Sequence, residues 1–66
     1  MTLTVNGQAV ELASESSVAA LVTHVGKAGI PCAVEVNKSV VRKRDHQTTL
    51  LREGDVVEIV TLVGGG

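Results

Sequence analysis

Apolar and polar positions alternate from the first residue of the chain. Leu3, Val5, Val10 and Leu12 are apolar, Thr2, Thr4 and Glu11 are polar, and Asn6-Gly7 stands in the middle. Asn-Gly suits a type I′ turn, which needs φ > 0 at both central residues. With that turn, Val5 faces Gln8, Leu3 faces Val10 and Met1 faces Leu12. Side chains alternate across a strand, so these residues share one face and Thr2, Thr4, Ala9 and Glu11 take the other. A β-hairpin over Thr2 to Leu12 is predicted.

The period then changes. Val18, Leu21, Val22 and Val25 fall at i, i+3, i+4 and i+7, the stripe of an amphipathic helix, with Ala19, Ala20, Thr23 and His24 on the other side. Ser17 is the N-cap candidate, and Gly26 stands where a left-handed residue ends a helix. So short a helix does not persist alone and must be held by packing. Gly26, Gly29 and Pro31 punctuate a loop. Ala33 to Val36 and Ser39 to Val41 predict a second hairpin turning at Asn37-Lys38. It places Val34, Val36 and Val41 on one face and Glu35 and Val40 on the other. Arg42 to Gln47 reads as a polar, solvated stretch, and Thr48 to Leu51 as either extended or helical.

After a turn at Arg52-Glu53-Gly54-Asp55, the run Val56 to Val63 is apolar nearly throughout, as a central strand is. Val57 and Ile59 are predicted to face the helix, and Glu58, Val60 and Leu62 the opposite side. One helix covers only one face of a sheet. The order of elements fits an α+β β-grasp, a mixed four- to five-stranded sheet with one main helix on one face. Residues 1–63 form the single domain and residues 64–66 a flexible glycine tail. The second face, with Val60 and Leu62 beside the tail, is the candidate partner-docking surface.

Composition narrows the functions. The 66 residues include no Phe, Tyr or Trp, so the core is aliphatic and no ring is available to stack on a nucleobase. A net charge of −1 gives no general attraction to phosphate backbones. These features argue against nucleic-acid binding. No apolar run approaches membrane-span length and no signal-peptide pattern opens the chain. The lone Cys32 forms no internal disulfide and suits a reducing compartment. The simplest expectation is a complete cytoplasmic protein.

Chemistry concentrates at the end. Gly64-Gly65-Gly66 leaves a backbone carboxylate as the last functional group. Glycine has no Cβ, so such a tail fits a narrow channel. A carboxylate is a poor electrophile, however, and must be activated before a nucleophile displaces its oxygen. No pairing of Glu15, Glu35 and Glu58 suggests acid–base work, and His24, Cys32 and His46 follow no metal-ligand spacing. Cys32 reads as a small semi-buried thiol. Arg42-Lys43-Arg44 reads as a charged loop with some prospect of meeting an acidic partner. The chain therefore looks like a substrate of other enzymes and not a catalyst.

Four segments carry a family resemblance: Val5-Asn6-Gly7-Gln8, Ser17-Val18, Val34-Glu35-Val36-Asn37 with Val40-Val41, and Glu53-Gly54-Asp55-Val56-Val57-Glu58-Ile59 running to the terminal glycines. Together they resemble the ThiS family, the sulfur carriers of thiamine biosynthesis. The resemblance implies a ubiquitin-like β-grasp with no tightly bound cofactor. An E1-like adenylyltransferase (ThiF-type) would use ATP to adenylate Gly66. A persulfide system would convert the adenylate to a thiocarboxylate, and thiazole synthase (ThiG-type) would take the sulfur. Gly64, Gly65 and Gly66 would enter the partner active site. Related readings are the small subunit of molybdopterin synthase and a ubiquitin-like protein modifier. Two features depart from the family pattern: the region Arg44 to His46 lacks an aromatic residue, and Arg42-Lys43-Arg44 is more basic.

Overall fold

The computed structural model describes residues 1–62, so Val63 and the tail Gly64, Gly65 and Gly66 lie outside the described residues. Five strands and one α-helix follow in order: β1 (Thr2–Val5), β2 (Gln8–Glu11), α1 (Val18–His24), β3 (Cys32–Val36), β4 (Ser39–Val41) and β5 (Val56–Thr61). A 3-10 turn over Lys43–Asp45 lies between β4 and β5.

The strands form one mixed sheet in the order β2-β1-β5-β3-β4. Both hairpins are antiparallel in the predicted registers, Leu3 opposite Val10 and Val34 opposite Val41. The last strand is central: β5 runs parallel to β1 and antiparallel to β3. This is the β-grasp arrangement. In β5, Val57 and Ile59 are buried against the helix, while Val56, Glu58 and Val60 alternate onto the other face.

The helix forms where its caps and stripe agree. Ser17 has extended φ/ψ and its hydroxyl accepts from Ala20 N–H at 3.1 Å. At the other end Lys27 N–H reaches Val22 C=O and Gly26 N–H reaches Thr23 C=O, with Gly26 at φ +79°. That pair of bonds is a Schellman motif, which satisfies carbonyls the helix leaves orphaned. Val18, Leu21 and Val22 point inward and join Leu3, Val5, Val34, Leu51, Val57 and Ile59 in a wholly aliphatic core.

One feature differs from the sequence expectation, and one alternative left open is resolved. The stretch Arg42 to Gln47 is not simply solvated, because His46 is only 7% exposed. Its Nε2–H donates to Val41 C=O at 3.1 Å, and its own carbonyl accepts from Ala19 N–H at 2.8 Å. Thr48 closes the turn that follows the 3-10 segment, its N–H donating to Asp45 C=O, and the chain then runs alongside the helix start: Leu50 bridges Ser17, Thr49 C=O accepts from Val18 N–H, and Leu51 enters the core. Thr49 and His46 thus satisfy the two helix donors, Val18 and Ala19 N–H, that Ser17 does not reach.

The turn asparagines also tether the central strand. Asn6 (φ +49°) extends the β1–β5 ladder with its side chain: Oδ1 accepts from Ile59 N–H at 2.8 Å and Nδ2 donates to Ile59 C=O at 3.1 Å. Asn37 (φ +51°) does similar work on the other edge, accepting from Val56 N–H and donating to Asp55 Oδ1, both at 3.0 Å. Asn6→Gly keeps the positive-φ turn but removes the amide. It lowers the unfolding free energy by about 1–3 kcal/mol, because two part-buried groups of β5 lose their partners. Urea titration checks this, and a change below about 0.5 kcal/mol rejects the tether.

Candidate functional site

The site is the end of β5 and the surface around it. Thr61 lies opposite Cys32, and Leu62 N–H donates to Pro31 C=O at 2.9 Å. The last described residue is therefore still fastened to the body, beside the loop that leads into β3.

Because α1 covers one face of the sheet, alternate residues of the strands are left on the open face. Val60 (58% exposed) and Leu62 (53%) are both exposed, as predicted. The register adds further residues to this open face. Val40 and Val56 are exposed, and Ala33 lies opposite Val60. The signal was available in the β3–β4 pairing, which put Val40 opposite Glu35.

Across this apolar face Glu35 and Glu58 are direct cross-strand partners. Neither forms an ion pair among the described residues, where the single salt bridge is a long, exposed Arg44–Asp45 contact at 4.0 Å. Like charges placed opposite one another destabilise a sheet. Glu58→Gln raises the unfolding free energy by about 0.5 kcal/mol in urea titration, and a loss of stability counts against that repulsion.

The other residues singled out do not assemble into a reactive centre. Cys32 is half-buried on β3, His24 is exposed at the end of α1, and His46 is buried against Val41 C=O. Among the described residues no group of three or more His, Cys, Asp and Glu side chains is placed to hold a metal. No helix among them is long and apolar enough to cross a membrane.

Comparison with known proteins decides the family. The family model described as "ThiS family" matches residues 3–66, nearly the whole chain and through its last glycine. The chain belongs to the ThiS family. The crystal structure of the thiamine biosynthesis protein ThiS from Geobacter metallireducens is similar, with 31% identity over all of both chains and a TM-score of 0.81. A solution structure of a thiamine biosynthesis protein from the same organism gives 33% identity over 100% of this chain and 88% of that one, with a TM-score of 0.79. These likenesses agree with the ubiquitin-like β-grasp. A Paramagnetospirillum magneticum protein named thiazole synthase is 33% identical over all of this chain, which spans 20% of that relative's length.

Proposed function

We propose that this ThiS-family chain is the sulfur carrier of thiamine thiazole formation. The observation that carries this reading is the family match running through Gly66, which puts the terminal glycines inside the shared pattern. An E1-like adenylyltransferase uses ATP to convert the Gly66 carboxylate to an acyl-adenylate, releasing pyrophosphate. Persulfide sulfur then displaces AMP, and reduction of the linking S–S bond by a thiol leaves the thiocarboxylate. Thiazole synthase accepts that sulfur. The chain supplies the acyl group and its presentation, while the partners supply base, oxyanion stabilisation and water exclusion.

The names of the similar proteins favour a thiazole over a pterin acceptor. Both solved structures are of one Geobacter metallireducens protein named for thiamine biosynthesis, and the third match is named thiazole synthase. In that third protein a segment similar to this chain accounts for 20% of the length, which supports thiazole synthase as a partner. The test combines the chain with its adenylyltransferase, ATP and a persulfide donor, followed by intact-mass measurement. Replacement of the terminal OH by SH, and thiazole formed on adding thiazole synthase, are the expected results. Lysine conjugates in place of a thiocarboxylate overturn the reading in favour of a protein modifier, and transfer to a pterin overturns the thiazole assignment.

Docking of the open face on the adenylyltransferase belongs to the same reading. Val60 is exposed on β5 next to the departing tail, so Val60→Asp puts a charge into an apolar contact without touching the core. It weakens complex formation by roughly tenfold or more, the effect of an interface residue worth over 1 kcal/mol. Circular dichroism verifies that the variant is folded, and unchanged affinity in a folded variant removes this face from the interface.

A further inference from the structure

The core and the open face leave one large feature unexplained. A cleft of about 350 Å³ lies between α1, the loop before β3 and the segment after β4. Val22, Ile30 and His46 line it together with Lys27, Lys43 and Arg44. Three of the six Lys and Arg residues of the chain thus meet in one place, although the net charge is −1. No Asp or Glu lines the cleft. Among the described residues Arg44 has one long contact, with Asp45, both side chains being well exposed, and such a pair contributes little. Lys27 and Lys43 form no salt bridge among the described residues.

His46 explains why the cleft is a fixed feature. Its ring is held by Val41 C=O and its carbonyl by Ala19 N–H, so the 3-10 turn is fastened to both β4 and α1. Lys43 and Arg44 are carried on that turn. The opposite wall is the loop containing Ile30, and Pro31 of the same loop holds Leu62, where the described chain leaves the sheet. Any enzyme that draws in the terminal glycines must come up against this loop.

We propose that the cleft receives an acidic segment of the enzyme that activates the tail, with carboxylates facing Lys27, Lys43 and Arg44 and an apolar side chain against Val22 and Ile30. The inference rests on the sulfur-carrier reading and gives the partner a second, chemically opposite contact. The open face offers apolar surface around two glutamates, whereas the cleft offers apolar surface beneath three cations. An enzyme that engages both recognises the chain by two contacts of opposite chemistry. Charge at the rim of such a contact acts mainly on the association rate and on its salt dependence.

The experiment compares the full chain with the triple variant Lys27→Glu, Lys43→Glu, Arg44→Glu, and with the double variant Lys43→Glu, Arg44→Glu. The double variant leaves half-buried Lys27 in place and guards against a folding defect. Binding to the adenylyltransferase is followed by stopped flow, and adenylation by pyrophosphate exchange. The association rate of both variants falls about tenfold at low salt, with the difference closing toward about 0.5 M salt, while kcat at saturation is unchanged. An unchanged or faster association of the folded double variant overturns the cleft contact and leaves the carrier reading standing if adenylation proceeds. A wild-type chain that is neither bound nor adenylated by the enzyme overturns both.

Discussion

Leu21→Ala lowers the unfolding free energy by about 2–5 kcal/mol, the largest effect of a single core substitution expected in this chain. Leu21 is 0% exposed and stands at the centre of the helix stripe, between Val18 and Val22. The core it joins is made only of Val, Leu and Ile, so no large ring is present to swing into the vacated space. At about 0.05–0.15 kcal/mol per residue, a domain of this length has roughly 3–10 kcal/mol in all. The substitution therefore removes a large share of the total stability and leaves a variant near its unfolding midpoint under mild conditions. Equilibrium urea denaturation measures the shift, with the slope kept as a check on two-state behaviour. Thr23→Ala, on the exposed side of the same helix, stays within about 0.5 kcal/mol. A Leu21→Ala cost below about 1 kcal/mol contradicts a packed helix–sheet core.

The frame of this fold was legible in the sequence because short-range signals agreed with one another. Asn6-Gly7 and Asn37-Lys38 set two turns, and each register put Val and Leu on the same face that the Val18–Leu21–Val22 stripe had to cover. The structure has both central residues of each turn at positive φ, including Lys38 at +70°, a non-glycine residue in a glycine-like position. What pattern reading missed depends on contacts between segments distant in sequence. The amides of Asn6 and Asn37 bind β5 backbone 53 and 19 residues further along, and nothing in an Asn at a turn requires that second role. His46 sits in a run of charged residues and was read with them. Its burial follows from a β4 carbonyl and a helix N–H that arrive only when the sheet and helix have docked.

The candidate site divides along the same line. Val60 and Leu62 were readable from alternation alone, whereas the Glu35–Glu58 pair required the β3–β5 register, and the basic cleft required three segments to converge. Lys27 is separated in sequence from Lys43 and Arg44, so composition could show the basic run 42–44 without showing what it faces. The turn Glu53-Gly54 is an intermediate case. Gly54 at φ +83° and the bond from Asp55 N–H to Arg52 C=O give the geometry that a type II turn demands of a glycine. The sequence indicated the turn, and the structure adds that Gly54 N–H also donates to Thr2 C=O, tying β5's entry to the chain's start.

Deleting Gly66 is the functional change with the largest expected effect. The shortened chain still ends in two glycines after Val63 and still presents an α-carboxylate, so the variant changes reach while keeping the chemistry of the end group. The body's last described hold on the chain is the Leu62–Pro31 bond, and from there four residues span at most about 13–14 Å. Removing one withdraws the carboxylate by about 3.3–3.6 Å when extended. Attack of the carboxylate oxygen on the α-phosphorus of ATP, which expels pyrophosphate, needs the reacting atoms near 3–3.5 Å apart, and a displacement of about 1 Å already costs on the order of a hundredfold. Adenylation therefore falls at least about a hundredfold in pyrophosphate exchange, and thiocarboxylate disappears from the mass spectrum. Thermal unfolding is unchanged, since the core and both hairpins lie within residues 1–62. Association with the adenylyltransferase weakens far less than the rate, because the open face and the cleft are untouched. A truncated chain adenylated at the full rate would mean that the enzyme accepts the tail without a fixed register, and the terminal residue would lose its special place in the mechanism.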